Sequence, residues 1–300
     1  IGADAGNFVV NDISGPGIGY TALPSVCGTG DVNLNNVNIT DATGIPLAGN
    51  LRQRVYYRKA AGSWFSQPGT LVSGTAQNSL WNFTMVAADM GGLAVGDIVQ
   101  YYVIAQDNNG TPLIASVAGG VAATDVNNVT THPAGAFTAT VINQLSGTYT
   151  VGTGGDYPTL TAAITAYNSS CLGGAVVFSL IDATYSSSET FPITINANAF
   201  ANSTNTLTIR PAAGNVATIN GTSTSCIINL NGADWVIFDG SNSGGTDRSL
   251  TISNASTAAA TAAVCVTSLG SNLGATNDVI KNCNIAAGSN SAATSFGIFV

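Results

Sequence analysis

Glu189 is the only glutamate in this 300-residue chain, and Lys59 and Lys281 are its only lysines. Amphipathic helices draw their exposed faces from long charged side chains, which lose little freedom in a helix and keep its outer stripe wet. Charged residues make up 7% of the sequence, against roughly a quarter of an ordinary soluble domain, so a mainly helical fold lacks material for its surface. Ser, Thr, Asn and Gly fill the polar positions instead. Together with many β-branched apolar residues they suit short strands joined by turns. Hydrophobic residues at 45% supply enough apolar surface for real cores and argue against global disorder.

A formal net charge of −8 argues against a phosphate-binding surface, because neutralising a nucleic-acid backbone takes clustered Lys and Arg. The one basic cluster, Arg52, Arg54, Arg58 and Lys59, reads as a solvated face. Five cysteines, Cys27, Cys171, Cys226, Cys265 and Cys283, show no CxxC spacing, so neither a zinc knuckle nor a thioredoxin-like motif is indicated. An oxidising compartment would permit one or two disulfides, and the odd count leaves at least one thiol over. Direct membrane insertion is not expected, since the longest uncharged stretch, 250–277, is dense in Ser, Thr, Asn and Gly. The chain opens at Ile1 and closes in an apolar run, which reads as a piece of something longer.

Residues 1–145 read as a β-sandwich. Alternating runs cover 32–40, 51–58, 80–86, 98–105 and 136–142, broken by turn signals such as Asp41-Ala42-Thr43-Gly44 and Asp107-Asn108-Asn109-Gly110. Val55 and Tyr57 fall on one face of their run and Arg54, Tyr56 and Arg58 on the other; Tyr101 and Val103 alternate against Tyr102 and Ile104. The spacing matches an immunoglobulin or fibronectin type III-like sandwich, without the Cys-Trp-Cys hallmark of antibody domains. Ile39-Thr40-Asp41, Val55-Tyr56-Tyr57-Arg58 and Gly96-Asp97 through Asp107 resemble a module of large secreted and surface proteins of Bacteroidetes-type bacteria. That resemblance implies a spacer at the cell surface, exported by a dedicated (type IX) secretion route.

Residues 146–300 change pattern after a hinge at Gly147–Gly155. A helix is predicted near 157–168, with Pro158 near its first turn and Leu160, Ala163, Ile164 and Tyr167 on one face. Beyond 175 come short β-segments marked by Ile209, Ile219, Ile228, Ile237, Ile252, Val266, Ile280 and Ile298. Strands this short and frequent, with no helices between them, suit the coils of a parallel β-helix. Gly154-Gly155-Asp156-Tyr157-Pro158-Thr159-Leu160 with Ala162-Ala163-Ile164, then 234–240 and 279–285, resemble the pectin-lyase-like right-handed parallel β-helices: a cap helix and two coils. The expected fold class is thus all-β, a sandwich followed by a β-helix incomplete at its C-terminus.

Enzymes of that β-helix class gather Asp and Arg on one face of successive coils to cleave or de-esterify acidic polysaccharides. The residues here that resemble such a set are Asp234, Asp239, Asp247 and Arg248, though adjacent acidic pairs and a Gly-His-Gly signature are absent. Asp239-Gly240 reads more simply as a turn with Gly at positive φ, Asp247-Arg248 as an exposed ion pair or solvated loop, and Asn282 as part of an amide ladder. Trp64 and Trp235 are the candidates for sugar stacking, with Trp81 assigned to the core. Asp107 and Asn109, with Asp125 if the two loops meet, are candidate calcium ligands, but lack the acidic residue that completes an EF-hand; no other cofactor is indicated. The function expected is a non-catalytic extracellular adhesin or fibre subunit contacting its own copies, matrix or glycans. A carbohydrate-active enzyme or glycan-binding protein is the alternative.

Overall fold

The structure, a computed structural model, describes residues 13–288 and 295–300 and is mostly β. The chain divides between Ile142 and Asn143 into two compact units.

In the first unit one sheet runs Gly17–Gly19, Val32–Thr40, Asn78–Met85, Thr70–Gly74, all antiparallel. The other runs Ser25–Cys27, Phe137–Ile142, Ile98–Gln106, Arg54–Lys59, Phe65–Pro68; its first pair is parallel and the rest antiparallel. Strand alternation sends Val37, Ile39, Trp81 and Phe83 from one sheet and Val55, Tyr57, Tyr101 and Val103 from the other into one core. Tyr56, Tyr102 and Ile104, of opposite parity, form a second cluster with Ala118 and Val126. Asp41 closes the strand before it as expected: its Oδ1 accepts the Thr43 and Gly44 amides at 2.9 and 2.7 Å, and Gly44 takes φ 90°.

The second unit is a parallel β-solenoid of about four turns. Every coil contributes one strand to each of three parallel sheets. The first face stacks Cys171–Leu180, Leu207–Pro211, Val236–Asp239 and Val279–Lys281, preceded by Gln144–Val151. The second stacks Thr184–Tyr185, Ala217–Gly221, Leu250–Asn254 and Cys283–Ala286, and the third Ile193–Asn196, Cys226–Asn231, Thr261–Thr267 and Ser295–Phe299. Inward residues line up coil over coil: Phe178, Ile209, Phe238 and Ile280 on the first face, Tyr185, Ile219, Ile252 and Ile285 on the second, Ile193, Ile228 and Val264 on the third, where Ile298 continues the register but is exposed at the last coil. Each column stays out of water only while its neighbours are stacked, so the coils stabilise one another.

Two expectations are corrected, and a third segment is refined. The segment from Gly147, read as a hinge, begins inside Gln144–Val151, which pairs in parallel with Cys171–Leu180 and belongs to the solenoid. Within the segment marked by Ile237, that side chain points outward and Val236 and Phe238 fill the core. The run 279–285 is two strands on different faces, separated by Asn282 at φ 55°, a conformation Asn tolerates better than most residues.

The helix spans Leu160–Ser169 and buries Leu160, Ala163, Ile164 and Tyr167 in the solenoid core. Pro158 precedes it, outside the first turn; Thr159 is the N-cap, accepting the Ala162 amide at 3.0 Å. The lone glutamate completes the cap. Glu189 accepts the Leu160 amide at 2.8 Å and the Thr161 amide at 2.6 Å, placing an anion where the helix dipole is positive.

On the third face, Cys226 and Ile228 pair with Ala262 and Val264, which pair in turn with Phe296 and Ile298. Ile227 and Ala263, between them, face the same core as Ile228 and Val264. Two successive inward residues require a local bend in the strand, and it recurs from coil to coil.

Candidate functional site

Asp239 and Asp247 are brought together by the turn that follows Val236–Asp239. The Ser241 amide donates to Asp239 Oδ1 at 3.1 Å, while its hydroxyl donates to Asp247 Oδ2 at 2.7 Å. Asp239 also receives Asn282 Nδ2 at 2.9 Å and pairs with Lys281 Nζ at 3.1 Å, both from the next coil. Burial raises its pKa, but the Asn282, Ser241 and Lys281 contacts outweigh that and hold it below the ordinary value. Asp247 accepts the Ser243 hydroxyl, the Asn242 amide at 2.9 Å and the Ser249 hydroxyl at 2.9 Å. The hydroxyls of Ser243 and Ser241, with that amide, keep its carboxyl well below the usual carboxylate range.

Two carboxylates near each other resemble acid–base machinery, yet that chemistry needs their pKa values pushed apart so that one holds a proton near neutrality. Here both are pushed down. Asp239 is a latch between coils and Asp247 braces the loop that follows it, with each carboxylate oxygen accepting from a neighbour.

The remaining predicted residues fall elsewhere. Asp234 accepts the Thr276 amide at 2.7 Å and the Thr276 hydroxyl, tying the third coil to the fourth. Arg248 is exposed, and its carbonyl accepts Asn284 Nδ2 at 3.1 Å. The Asp247–Arg248 ion pair is not made: among the described residues the ion pairs are Lys59–Asp97 and Lys281–Asp239. Gly240 does not have positive φ. What requires glycine is proximity, since a Cβ there would stand 1.8 Å from the Asn282 carbonyl oxygen. Asn282 bonds Asp239 rather than joining a column of amides; the stacked amides are Asn196 and Asn231, 2.9 Å apart on the third face.

Trp64 is half-buried, its ring stacked on His132 at 4.6 Å with the Arg58 guanidinium 4.5 Å from its centroid. A sugar would compete with those partners for the ring. Trp235 is also half-buried, at φ 61°, and its backbone bridges Leu207 and Thr276. Trp81 is fully buried. Asp107 turns on itself, accepting the Asn109 amide at 3.2 Å, Asn109 Nδ2 at 2.6 Å and the Leu113 amide at 2.9 Å. Asp125 accepts the Asn127 and Asn128 amides at 2.7 and 3.1 Å. The two loops do adjoin, through Val126 N to Gln106 Oε1 at 2.9 Å. Among the described residues no three His, Cys, Asp or Glu side chains converge in a metal-binding group, and no helix is long and apolar enough to cross a membrane.

Two features escape sequence reasoning. Asp278 accepts the Val236 amide through Oδ1 at 2.8 Å, while its buried Oδ2 has no partner. Burial, opposed by that amide and reinforced by Asp234, raises its pKa to about 6. The second is a depression of about 380 Å³ on the solenoid, lined by Ser187, Glu189, Phe191, Asn220 and Thr222. Nothing in the spacing of these residues marks them, because they meet only through coil stacking.

No family model, curated protein or solved structure matches the chain. What the fold defines is a class: a mostly β chain carrying a parallel β-solenoid.

Proposed function

We propose that this chain is a non-catalytic extracellular surface protein, an adhesin or fibre subunit. On this reading the first unit is an immunoglobulin or fibronectin type III-like spacer. The solenoid is a right-handed, pectin-lyase-like β-helix acting as a stiff stalk with a long lateral face for other copies, matrix or glycans. The supporting observation is how the acidic residues are used: Asp234, Asp239 and Asp247 each join one coil to the next or brace a corner loop. Carboxylates committed to stacking favour a scaffold. The low charge density, and the resemblance of Val55-Tyr56-Tyr57-Arg58 and Gly96-Asp97 through Asp107 to a module of Bacteroidetes-type surface proteins, favour export to the cell surface.

Electron microscopy of native surface material carrying the full-length protein tests this. A regular filament with this unit at the subunit contacts is expected; isolated molecules that bind neither one another nor matrix glycans would overturn it. The convergence of Asp239 and Asp247 on Ser241 favours one second reading, a carbohydrate-active enzyme. Cleavage of an acidic polysaccharide that is lost in both D239N and D247N would establish it.

A further inference from the structure

Cys27 and Cys171 are each disulfide-bonded, whereas Cys226, Cys265 and Cys283 carry free thiols. The third face brings two of the three together. Cys226, Ala262 and Phe296 stand in one column along the stack, and Asn229, Cys265 and Phe299 in a second, three residues further along each strand. In a straight strand three residues span about 10 Å and reverse the face. The recurrent bend, with two inward residues in succession, folds that distance up and turns both columns outward. At the last coil the rings of Phe296 and Phe299, one from each column, meet with their centroids 5.1 Å apart.

Cys226, on the second coil, and Cys265, on the third, are a diagonal pair of the same array. They pack together with Ala262 beneath Phe296, at 2% and 9% exposure. The Ser225 hydroxyl lies 3.6 Å from Cys226 Sγ, and both cysteines belong to one small buried cluster separate from the main solenoid core. We propose that Cys226 and Cys265 are the site of a further disulfide, which fastens the second coil of the solenoid to the third.

The chemistry is exchange with an external disulfide, a small molecule or an oxidoreductase. One cysteine thiolate attacks a sulfur of that disulfide, forming a mixed disulfide and expelling one thiolate. The second cysteine, deprotonated, attacks its partner's sulfur in the mixed disulfide, closes the Cys226–Cys265 bond and expels the other thiolate. Two protein thiols are oxidised, the external disulfide is reduced to two thiols, and the two protons end on them. Burial, with the Cys226 contact adding to it, pushes the Cys265 thiol up to about 12, so the folded, reduced pair contains little thiolate. Cys283, on the second face, is the odd thiol; burial and then Asp239 push it up to about 11.

The test is to fold the whole chain in a glutathione redox buffer, denature it without reductant, alkylate with iodoacetamide and map the peptides. The expected result is alkylation of Cys283 alone, with the Cys226 and Cys265 peptides recovered as one linked species that separates on reduction. Alkylation of both Cys226 and Cys265, or either of them linked to Cys283, overturns the proposal.

Discussion

Replacing Asp278 with asparagine is expected to stabilise the solenoid at neutral pH and to do nothing at pH 4. The wild-type carboxyl sits between coils with one oxygen on the Val236 amide and the other buried without a partner, and its pKa moves from 3.8 to about 6. For full burial that change is worth about 3 kcal/mol; Asp278 is only half-buried, and solvent screening reduces it to about 1–2 kcal/mol. Above pH 6 the group is ionised in folded and unfolded chains alike, so the folded state carries the penalty of the buried anion. Between pH 6 and 4 the folded chain takes up the proton first, so this group's contribution is fully present below about 4 and lost as pH rises through 6. The asparagine side chain keeps an oxygen for the Val236 amide and carries no charge, so the advantage of Asp278→Asn over wild type should be about 1–2 kcal/mol at pH 7.5 and vanish at pH 4. Denaturant titrations at pH 4, 5, 6 and 7.5, read by hydrogen exchange of the Val236 amide, measure it. An equal gain at pH 4 and 7.5, or a loss at 7.5, refutes the reasoning.

Three further outcomes follow from the stacking. Glu189→Ala removes the acceptor of the Leu160 and Thr161 amides and should cost about 1–3 kcal/mol, with exchange protection of those two amides lost first and Glu189→Gln retaining part of it. Phe238→Ala empties the first-face column between Ile209 and Ile280 and should cost about 3–5 kcal/mol in denaturant unfolding of the second unit. Gly240→Ala forces a methyl against the Asn282 carbonyl; the backbone must shift, so lower stability and weaker protection of the 279–286 amides are expected, and wild-type stability would show that the approach is looser than described.

Much of the architecture was legible because it rests on local patterns. The scarcity of charged helix formers excluded a helical fold, and the short β-segments after 175 mark real coils. The alternation of Val55 and Tyr57 against Tyr56 sorts them into two separate clusters as read. Boundaries were harder where two faces meet within a few residues. Asn282 lets the chain turn a corner inside what reads as one strand.

The candidate site was the least legible, because its chemistry depends on contacts between residues about forty apart. Sequence could nominate Asp239 and Asp247 but not supply Lys281 and Asn282 from the next coil or the serines that hold both carboxyls ionised. It assigned Glu189 no role, although being the only glutamate marked it, and nothing around Asp278 announced a buried carboxyl. By itself, the amino-acid sequence determined that this protein builds its cores from short strands, because propensity and alternation act within a few residues. Stacking alone decided that Asp234 and Asp239 fasten coil to coil and that Cys226 meets Cys265, because a parallel solenoid makes neighbours of side chains far apart in the chain.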